Sequence, residues 1–167
     1  MGFDLYGQEP KNKFGEYFRQ NVWGWRPIWE YVCTHHADSL DQKTLEMGNY
    51  NEGHIVSKQQ ATTLANKIHV DLQDGTVSDF VKMVEDSVKK AKEHNEKLEF
   101  HFELLKQEAI EISGNSNIAP VNYPNGLDGQ WKFLMSLRDR KESYPTSIDD
   151  ILAFQLFCKY SGGFSIC

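Results

Sequence analysis

The chain contains 167 residues, of which 40% are hydrophobic and 25% are charged, and its formal net charge is -6. This composition is typical of a globular protein, and we predict a single domain over residues 1–167. A net negative field repels a phosphate backbone, so nucleic acid is an unfavourable partner. The chain has neither an apolar run of the roughly 20 residues that a membrane span needs nor a signal peptide. We therefore expect a cytoplasmic location and no membrane partner.

Glycine and proline divide the first part of the chain. Residues 1–15 indicate an irregular or short-strand start, and residues 16–22 indicate a short helix. Gly24 predicts that this helix is interrupted before the next one begins. Pro27 then suits the first turn of a new helix that continues to His36, because a proline lacks the N–H that has no partner in that turn.

The following segment predicts a short helix, a loop and a longer capped helix. The short helix is expected over residues 40–47, and residues 48–53 are rich in Gly and Asn, as loops are. Ser57 and Gln60 form a capping box, in which each side chain bonds the other residue's backbone N–H. The helix that begins there is predicted to reach about Gln73. Its apolar stripe consists of Ala61, Leu64, Ala65, Ile68 and Leu72.

A heptad pattern dominates the middle of the chain. Its seam positions recur at alternating spacings of four and three without Gly or Pro, which predicts one long helix over about residues 76–113. Asn95 is the polar seam residue, and such an asparagine fixes the register of a two-stranded coiled coil. We predict a homo-oligomer through the Val77–Ile112 helix. The alternative is an intramolecular bundle, in which the 57–73 helix covers part of the seam.

The last part of the chain predicts a loop followed by two helices. Residues 113–125 indicate the loop, and the apolar mixture over residues 130–137 favours a helix. Ser147 is predicted to cap a final helix that ends before Gly162. Residues 164–167 then form a short tail or an edge strand. Together the elements predict a mainly α fold with one long heptad-patterned helix and short irregular or β pieces at the termini.

Aromatic and basic side chains are concentrated in YFRQNVWGWRPIW, residues 17–29. Flat rings stack on planar ligands, and arginine pairs with phosphate or carboxylate groups. In the alternative interpretation the tryptophans are core residues, and the arginines cover aromatic surface or pair with Asp4 or Glu16. The predicted ligand-binding residues are Tyr17, Arg19, Asn21, Trp23, Trp25 and Arg26, with His54 from the Asn- and Gly-rich loop as one wall.

The sequence contains no recognisable catalytic or metal-binding motif. GxSxG, P-loop, GxGxxG and HExxH patterns do not occur. The three cysteines, Cys33, Cys158 and Cys167, form no CxxC pair. We predict no catalytic residues, no metal site and no cofactor, and a non-enzymatic protein is favoured over an enzyme.

Segments at both ends of the chain resemble a family of small proteins found in bacteriophages and prophages. The opening MGFDLYG with GEYFRQNVWGWRPIWEYV is similar to the family's opening pattern. The ending YPTSIDDILAFQLFCKYSGGFSIC resembles its closing pattern, and NYNEGHIVSKQQATTLANKI is similar to a middle stretch. Residues 113–144 lack the Cys-rich knuckle of some members. The resemblance implies a phage accessory protein, with an anti-defence role in the host cytoplasm, and it implies no particular activity.

The predicted function is binding or sequestration of a nucleotide-like small molecule by the aromatic and arginine residues. One alternative is a protein–protein interaction module that inhibits a host protein, since Trp, Tyr and Arg dominate interface energetics. Another is a small hydrolase with His54 or His35 as base. Pocketed aromatics with converging arginines favour the small ligand, and a flat exposed patch favours a protein. A His–carboxylate pair in a cleft favours catalysis.

Overall fold

The computed structural model describes residues 2–167, which fall into two compact units. The first unit comprises residues 2–86 together with Ser143–Cys167, and the second comprises Ser87–Glu142. The boundary at Asp86 lies within a long helix that contributes to both units. That residues 1–167 form a single domain stays a prediction.

The described residues are mainly helical, which confirms the predicted fold class. In chain order the strands and α-helices are β1 (Gly2–Gly7), α1 (Lys13–Glu16), β2 (Tyr17–Asn21), α2 (Val22–His35), α3 (Gln42–Met47), β3 (His54–Val56), α4 (Lys58–Asp74), α5 (Thr76–Ser113), α6 (Leu127–Leu137), α7 (Ile148–Tyr160) and β4 (Phe164–Ile166). Short 3-10 turns occupy Ala37–Ser39, Pro120–Asn122 and Arg140–Ser143. No helix within residues 2–167 has both the length and the hydrophobicity that crossing a bilayer requires.

The four strands form one antiparallel sheet in the order β2-β1-β4-β3. Leu5 lies opposite Phe18 on one side and Ile166 on the other, so these three side chains share a face. That inner face is buried and contributes Phe3, Leu5, Phe18, Val56, Phe164 and Ile166 to the core. Alternate residues of the same strands form an outer face that solvent reaches.

Helix α2 supplies the largest core side chains of the first unit. The Trp25 ring stacks between Phe3 and Trp29, with 5.4 Å between ring centroids in each pair. Both indole N–H groups are satisfied, because Trp25 Nε1 donates to the Gly48 carbonyl at 2.8 Å and Trp29 Nε1 donates to the Leu45 carbonyl at 3.0 Å. Gly48 leaves room for this arrangement, since a Cβ there would lie 1.9 Å from the Trp29 ring.

Several helices and one strand occur where local sequence patterns predict them. The capping box at Ser57 and the cap at Ser147 are confirmed at the starts of α4 and α7. The long helix predicted over about residues 76–113 is confirmed as α5. The helix favoured over residues 130–137 is part of α6, and the strand expected near the N-terminus is β1.

Some predictions around the first helix were wrong. The helix predicted over residues 16–22 is mostly strand β2, because pairing with β1 gives those residues a two-residue alternation of buried and exposed positions. Gly24 does not interrupt the helical structure. Its N–H donates to the Oδ1 atom of the N-cap residue Asn21 at 2.9 Å, so α2 already begins at Val22. Pro27 therefore lies inside the helix, where it removes only the bond to the Trp23 carbonyl.

Two strands differ from what the sequence analysis predicts. Strand β3 follows the loop predicted over residues 48–53 and was not anticipated. The tail at residues 164–167 contains β4, which pairs on both sides and is therefore not an edge strand.

The second unit buries the central residues of its part of the heptad seam, whereas Ile112 is exposed. Leu105 and Ala109 form a core with Tyr123 and Leu127. Trp131 of α6 packs against Phe102 with ring centroids 4.5 Å apart and edge-on. A second copy cannot occupy these positions without displacing α6. Over this part of the seam α6, rather than α4, is the covering helix, and a homo-oligomer through the Val77–Ile112 helix stays a prediction.

Asn95 is bonded within its own chain, whereas its seam position predicts a role in fixing the register of a two-stranded coiled coil. Its amide nitrogen donates to the Asp139 carbonyl at 2.9 Å and to Glu142 at 2.6 Å. Its amide oxygen accepts the Asp139 N–H at 2.9 Å. All polar atoms of this buried side chain are thus engaged by the turn that follows α6.

Close approach of α1 to α7 leads to a stability prediction. A Cβ on Gly15 would lie 2.1 Å from the Tyr160 carbonyl oxygen, a backbone atom. We expect Gly15→Ala to lower the free energy of unfolding by about 1–3 kcal/mol, the usual cost of overpacking. The helical Gly129 has open space around it, so Gly129→Ala should raise that free energy by about 0.5–1 kcal/mol. Urea denaturation of both variants measures the difference, and equal effects would contradict the packing of α1 on α7.

Candidate functional site

The outer face of the sheet brings together four side chains from β1 and β2. The register places Asp4 opposite Arg19 and Tyr6 opposite Tyr17. The Tyr17 hydroxyl donates to the Asp4 carboxylate, and Arg19 Nε lies 3.6 Å from the same carboxylate. The rings of Tyr6 and Tyr17 are 5.2 Å apart between centroids. We call Asp4, Tyr6, Tyr17 and Arg19 the sheet patch.

The sheet patch is open to solvent. Tyr6 is 48% exposed, Tyr17 is 45% exposed, and the Arg19 side chain is 65% exposed. The same face continues across the sheet to Ile55, an exposed apolar residue, through the pairing of Ser165 with both Tyr6 and Ile55. The face therefore presents two rings, an aliphatic side chain and a cation on one broad surface.

Asp4 favours the protonated form of Tyr17 in the sheet patch. Its hydrogen bond from the Tyr17 hydroxyl raises the pKa of Tyr17, because a phenolate would face the carboxylate that now holds its proton. The nearby Arg19 opposes this effect and does not reverse it. Tyr17 is therefore a neutral phenol at physiological pH. Asp4 also offsets part of the Arg19 charge.

Three more of the predicted residues continue the chain from β2 into α2. Asn21 is the N-cap of α2, with its side-chain oxygen occupied by the Gly24 N–H. Trp23 is half-exposed and packs 5.2 Å from the Tyr144 ring. Arg26 is exposed and forms no hydrogen bond or ion pair with the other residues in 2–167. Because Trp23 follows Asn21 by two residues, their Cα atoms lie within about 7 Å of each other.

Two predicted site residues lie away from the sheet patch. Trp25 is fully buried, and its ring and N–H are committed to the core. His54 lies opposite Ile166 and so belongs to the inner side of the sheet. Its Nε2 is 2.9 Å from the Thr44 hydroxyl, which joins it to α3. Two-residue alternation along β3, a strand that the sequence analysis did not anticipate, separates His54 from the patch.

The sequence analysis also missed Tyr6. The alternation in GFDLYG, with apolar Phe3 and Leu5 between polar or amphipathic neighbours, was the available signal. The anticipated pairing of Asp4 with Arg19 is confirmed. Neither arginine of the segment is buried.

A second polar site occupies a cleft beside the C-terminal end of α2. The cleft has a volume of about 490 Å³ and is lined by His35, His36, Asp38, Asn66, Lys67, Val70 and Asp71. His36 Nε2 is 2.9 Å from Asp71 Oδ2, and the Tyr31 hydroxyl donates to the same oxygen. At the rim, Lys67 Nζ donates to Asp38 at 2.6 Å. We call this the His36 cleft.

Burial shifts the pKa values of His36 and Tyr31 in the His36 cleft. It lowers the pKa of His36, although the neighbouring Asp71 acts in the opposite direction. Burial together with Asp71 also raises the pKa of Tyr31. His36 is therefore neutral at pH 7. Since a carboxylate only accepts hydrogen bonds, Nε2 carries the proton and Nδ1 is the acceptor.

The His–carboxylate pair thus involves His36, and not His35 or His54, the bases considered for a hydrolase. His35 packs against Tyr31 and Phe80, and His54 is bonded to Thr44. His36 and Asp71 are 35 positions apart and belong to no recognised motif, so their contact could not be predicted from the sequence. Among residues 2–167, no group of three or more His, Cys, Asp or Glu side chains is placed to hold a metal ion.

Comparison with protein-family models, curated proteins and solved structures gave no match for this chain. Its function is therefore inferred from the sheet patch and the His36 cleft.

The hydrogen bond between Tyr17 and Asp4 leads to a titration prediction. In Asp4→Asn the pKa of Tyr17 should fall towards its ordinary value, because the acceptor loses its negative charge. NMR titration of ring-labelled tyrosine measures this. Asp38→Asn, which changes a carboxylate outside the sheet patch, is the control and should leave Tyr17 unaffected. An unchanged Tyr17 pKa in Asp4→Asn would contradict the described contact.

Proposed function

We propose that this protein is a non-enzymatic binding protein that recognises another protein through the sheet patch and the neighbouring first turns of α2. The main support is that exposed tyrosine, tryptophan and arginine side chains lie on consecutive elements. Tyr17 and Arg19 are on β2, and Trp23 and Arg26 follow on α2. These residue types are the ones that supply most of the binding energy at protein interfaces.

The shape of the surface favours a protein over a small molecule. Small-molecule sites are concave and bury most of the ligand. The sheet patch is instead a face of an antiparallel sheet, on which Tyr6 and Tyr17 each present about half of their surface. A flat partner surface covers such rings and removes water from around the arginine. Burial of that kind is what makes aromatic and arginine residues energetically important.

Charge defines the chemistry of the expected partner. The chain carries a net charge of -6, yet two exposed arginines lie within residues 19–26. Asp4 partly neutralises Arg19, whereas Arg26 has no ion pair among the described residues. A complementary surface therefore places carboxylates near both arginines around an apolar centre that covers Tyr6, Tyr17 and Ile55.

The resemblance to phage proteins supports a further part of the proposal. The segments that resemble the family's opening, residues 1–7 and 15–32, include the strands and helix that carry the proposed surface. We therefore propose that the partner is a host protein, and that the binding protein is a phage accessory protein with an anti-defence role.

A nucleotide-like small molecule is the second candidate ligand. The observation in its favour is that Tyr17 and Arg19 share one face, on which a base could stack while a phosphate pairs with the guanidinium. Trp23 and Arg26 offer the same combination on α2.

Paired charge reversals test the protein-binding proposal. A photo-crosslinking phenylalanine at position 17 identifies the partner, with the same residue at the exposed Tyr50 as control. For the purified partner we expect Arg19→Glu with Arg26→Glu to raise Kd by at least about tenfold, since each arginine loses a charged contact.

The matched control is Arg140→Glu with Lys141→Glu. It makes the same change in net charge at exposed positions of the second unit. Equal affinities for the two double variants would overturn the proposed surface, because the effect would then follow net charge alone. Circular dichroism of both variants verifies that they are folded.

A thermal-shift screen against nucleotides, including cyclic dinucleotides and ADP-ribose derivatives, separates the two ligand classes. The protein-binding proposal expects no rise in Tm. A nucleotide at a hundred times its Kd stabilises a folded protein by about 2.7 kcal/mol, which such a screen detects. A rise that Arg26→Ala abolishes, with the nucleotide recovered intact, would favour the small ligand instead.

A further inference from the structure

The turn that leads into α6 contains an asparagine followed by a glycine. Asn125 and Gly126 form the only Asn–Gly pair in the sequence. Both residues are exposed, and both have a left-handed backbone, with φ values of 55° and 82°. The N–H of Leu127 donates to the Pro124 carbonyl at 3.0 Å and closes the turn. Positive φ at both central residues is the feature of a type I′ turn, which Asn and Gly favour.

The two groups of this turn that can react with each other are free. Within residues 2–167, neither the Asn125 side chain nor the Gly126 N–H has a hydrogen-bond partner. Gly126 precedes the first residue of α6, so its N–H takes no part in the bonds of that helix. A Cβ at Gly126 would have no heavy atom within 4 Å, so the space around this residue is open.

Other asparagines of the chain lack this combination. The Asn115 side-chain oxygen accepts the Asn117 N–H at 3.0 Å, and the residue after Asn115 is a serine. Asn95 is buried, and its amide group is fully hydrogen-bonded. A residue other than glycine also carries a Cβ that hinders attack by its own backbone nitrogen. Asn125 therefore combines a free side chain with an unhindered neighbouring nitrogen.

We propose that Asn125 is a site of self-modification, at which the chain converts its own asparagine into isoaspartate and aspartate. The Gly126 nitrogen attacks the Cγ atom of Asn125 and forms a C–N bond. The bond from Cγ to the side-chain nitrogen breaks, and ammonia leaves with the proton that the Gly126 N–H gives up. Water then opens the resulting succinimide ring at either carbonyl. The reaction needs water alone as co-reactant.

The turn must open briefly for this attack. Ring closure requires rotation about the Cα–C bond of Asn125, so that the Gly126 nitrogen reaches Cγ. A single hydrogen bond from the Leu127 N–H to the Pro124 carbonyl closes the turn, and the glycine adopts a wide range of backbone conformations without steric cost. Exposed loops move on a nanosecond to microsecond timescale. Such opening is fast compared with covalent chemistry of this kind, so the turn does not prevent the reaction.

The isoaspartate product should loosen the start of α6. Its main chain passes through Cγ, which adds a carbon atom to the backbone between Asn125 and Gly126. Tyr123 and Leu127, on either side, are both buried in the core of the second unit, so the longer turn cannot join them with its present geometry. Aspartate instead keeps the backbone and adds a negative charge before the first turn of α6, where it interacts favourably with the helix dipole.

Peptide mapping by mass spectrometry, after storage of the purified protein in water labelled with heavy oxygen, tests the proposal. We expect the peptide that contains Asn125 to lose its side-chain nitrogen and to gain labelled oxygen at that residue. The modified fraction should grow with storage time and with pH, because the attacking nitrogen must give up its proton. An intact Asn125 amide after the time in which a synthetic peptide of residues 119–131 is converted would overturn the proposal. Faster conversion of Asn115 than of Asn125 would also overturn it.

A variant that keeps the turn separates the reaction from folding. Asn125→Gly removes the reactive amide and leaves a residue that suits a positive φ. The labelled product should be lost from this peptide. The control Asn115→Gly removes another exposed amide of the second unit and should leave the conversion of Asn125 unchanged. Undiminished labelling of the peptide in Asn125→Gly would place the reaction at another residue and overturn the proposal.

Hydrogen exchange of the Leu127 amide provides a readout in the folded protein. In the isoaspartate form, separated by chromatography, we expect this N–H to exchange at least about tenfold faster than in the unmodified protein, because its bond to Pro124 is lost. The Ala61 N–H of the first unit, which donates to the Ser57 carbonyl at 2.9 Å, is the control and should be unaffected. Equal exchange of Leu127 in both forms would contradict the proposed loosening of α6.

Discussion

Antiparallel pairing of β1 with both β2 and β4 is the constraint on which the first unit depends. It joins residues 2–7 to residues 164–166, and Asp4 exchanges two backbone hydrogen bonds of 2.8 Å with Cys167. Because side chains alternate across a strand, one register buries Leu5 and exposes Tyr6. A slip by one residue would exchange the core face with the sheet patch. The buried core and the exposed sheet patch of this unit therefore follow from the same pairing.

The two candidate sites present opposite chemistry on that framework. The sheet patch offers rings and a guanidinium whose charge is only partly offset by Asp4. The His36 cleft offers acceptors and a net negative charge around Asp71. The sheet patch is a broad exposed surface, and the His36 cleft is a recess that is open to solvent. Neither depends on the second unit, where the core around α5 and α6 and the Asn95 contacts are internal.

Features that depend on neighbouring residues could be predicted, whereas those that depend on distant contacts could not. The cap at Ser57 and the heptad pattern of α5 are local, and both are confirmed. Strand β2 was predicted as a helix because its conformation comes from pairing with β1. The apolar seam was predicted correctly, but its covering helix α6 is separated from α5 by a loop, and the sequence pattern of the seam does not indicate which helix covers it. Within the site, Tyr17 and Arg19 were found by composition, while Trp25 could be separated from them only by its burial.

Hydroxyl-radical footprinting of the wild-type protein, alone and bound to its purified partner, tests the recognition surface most directly. Free protein should be oxidised at Tyr6 and Tyr17, which are both about half-exposed. We expect the partner to protect both tyrosines while the equally exposed Tyr50 remains oxidised. Unchanged oxidation of Tyr6 and Tyr17, with protection only at other exposed residues, would contradict the sheet patch as the recognition surface.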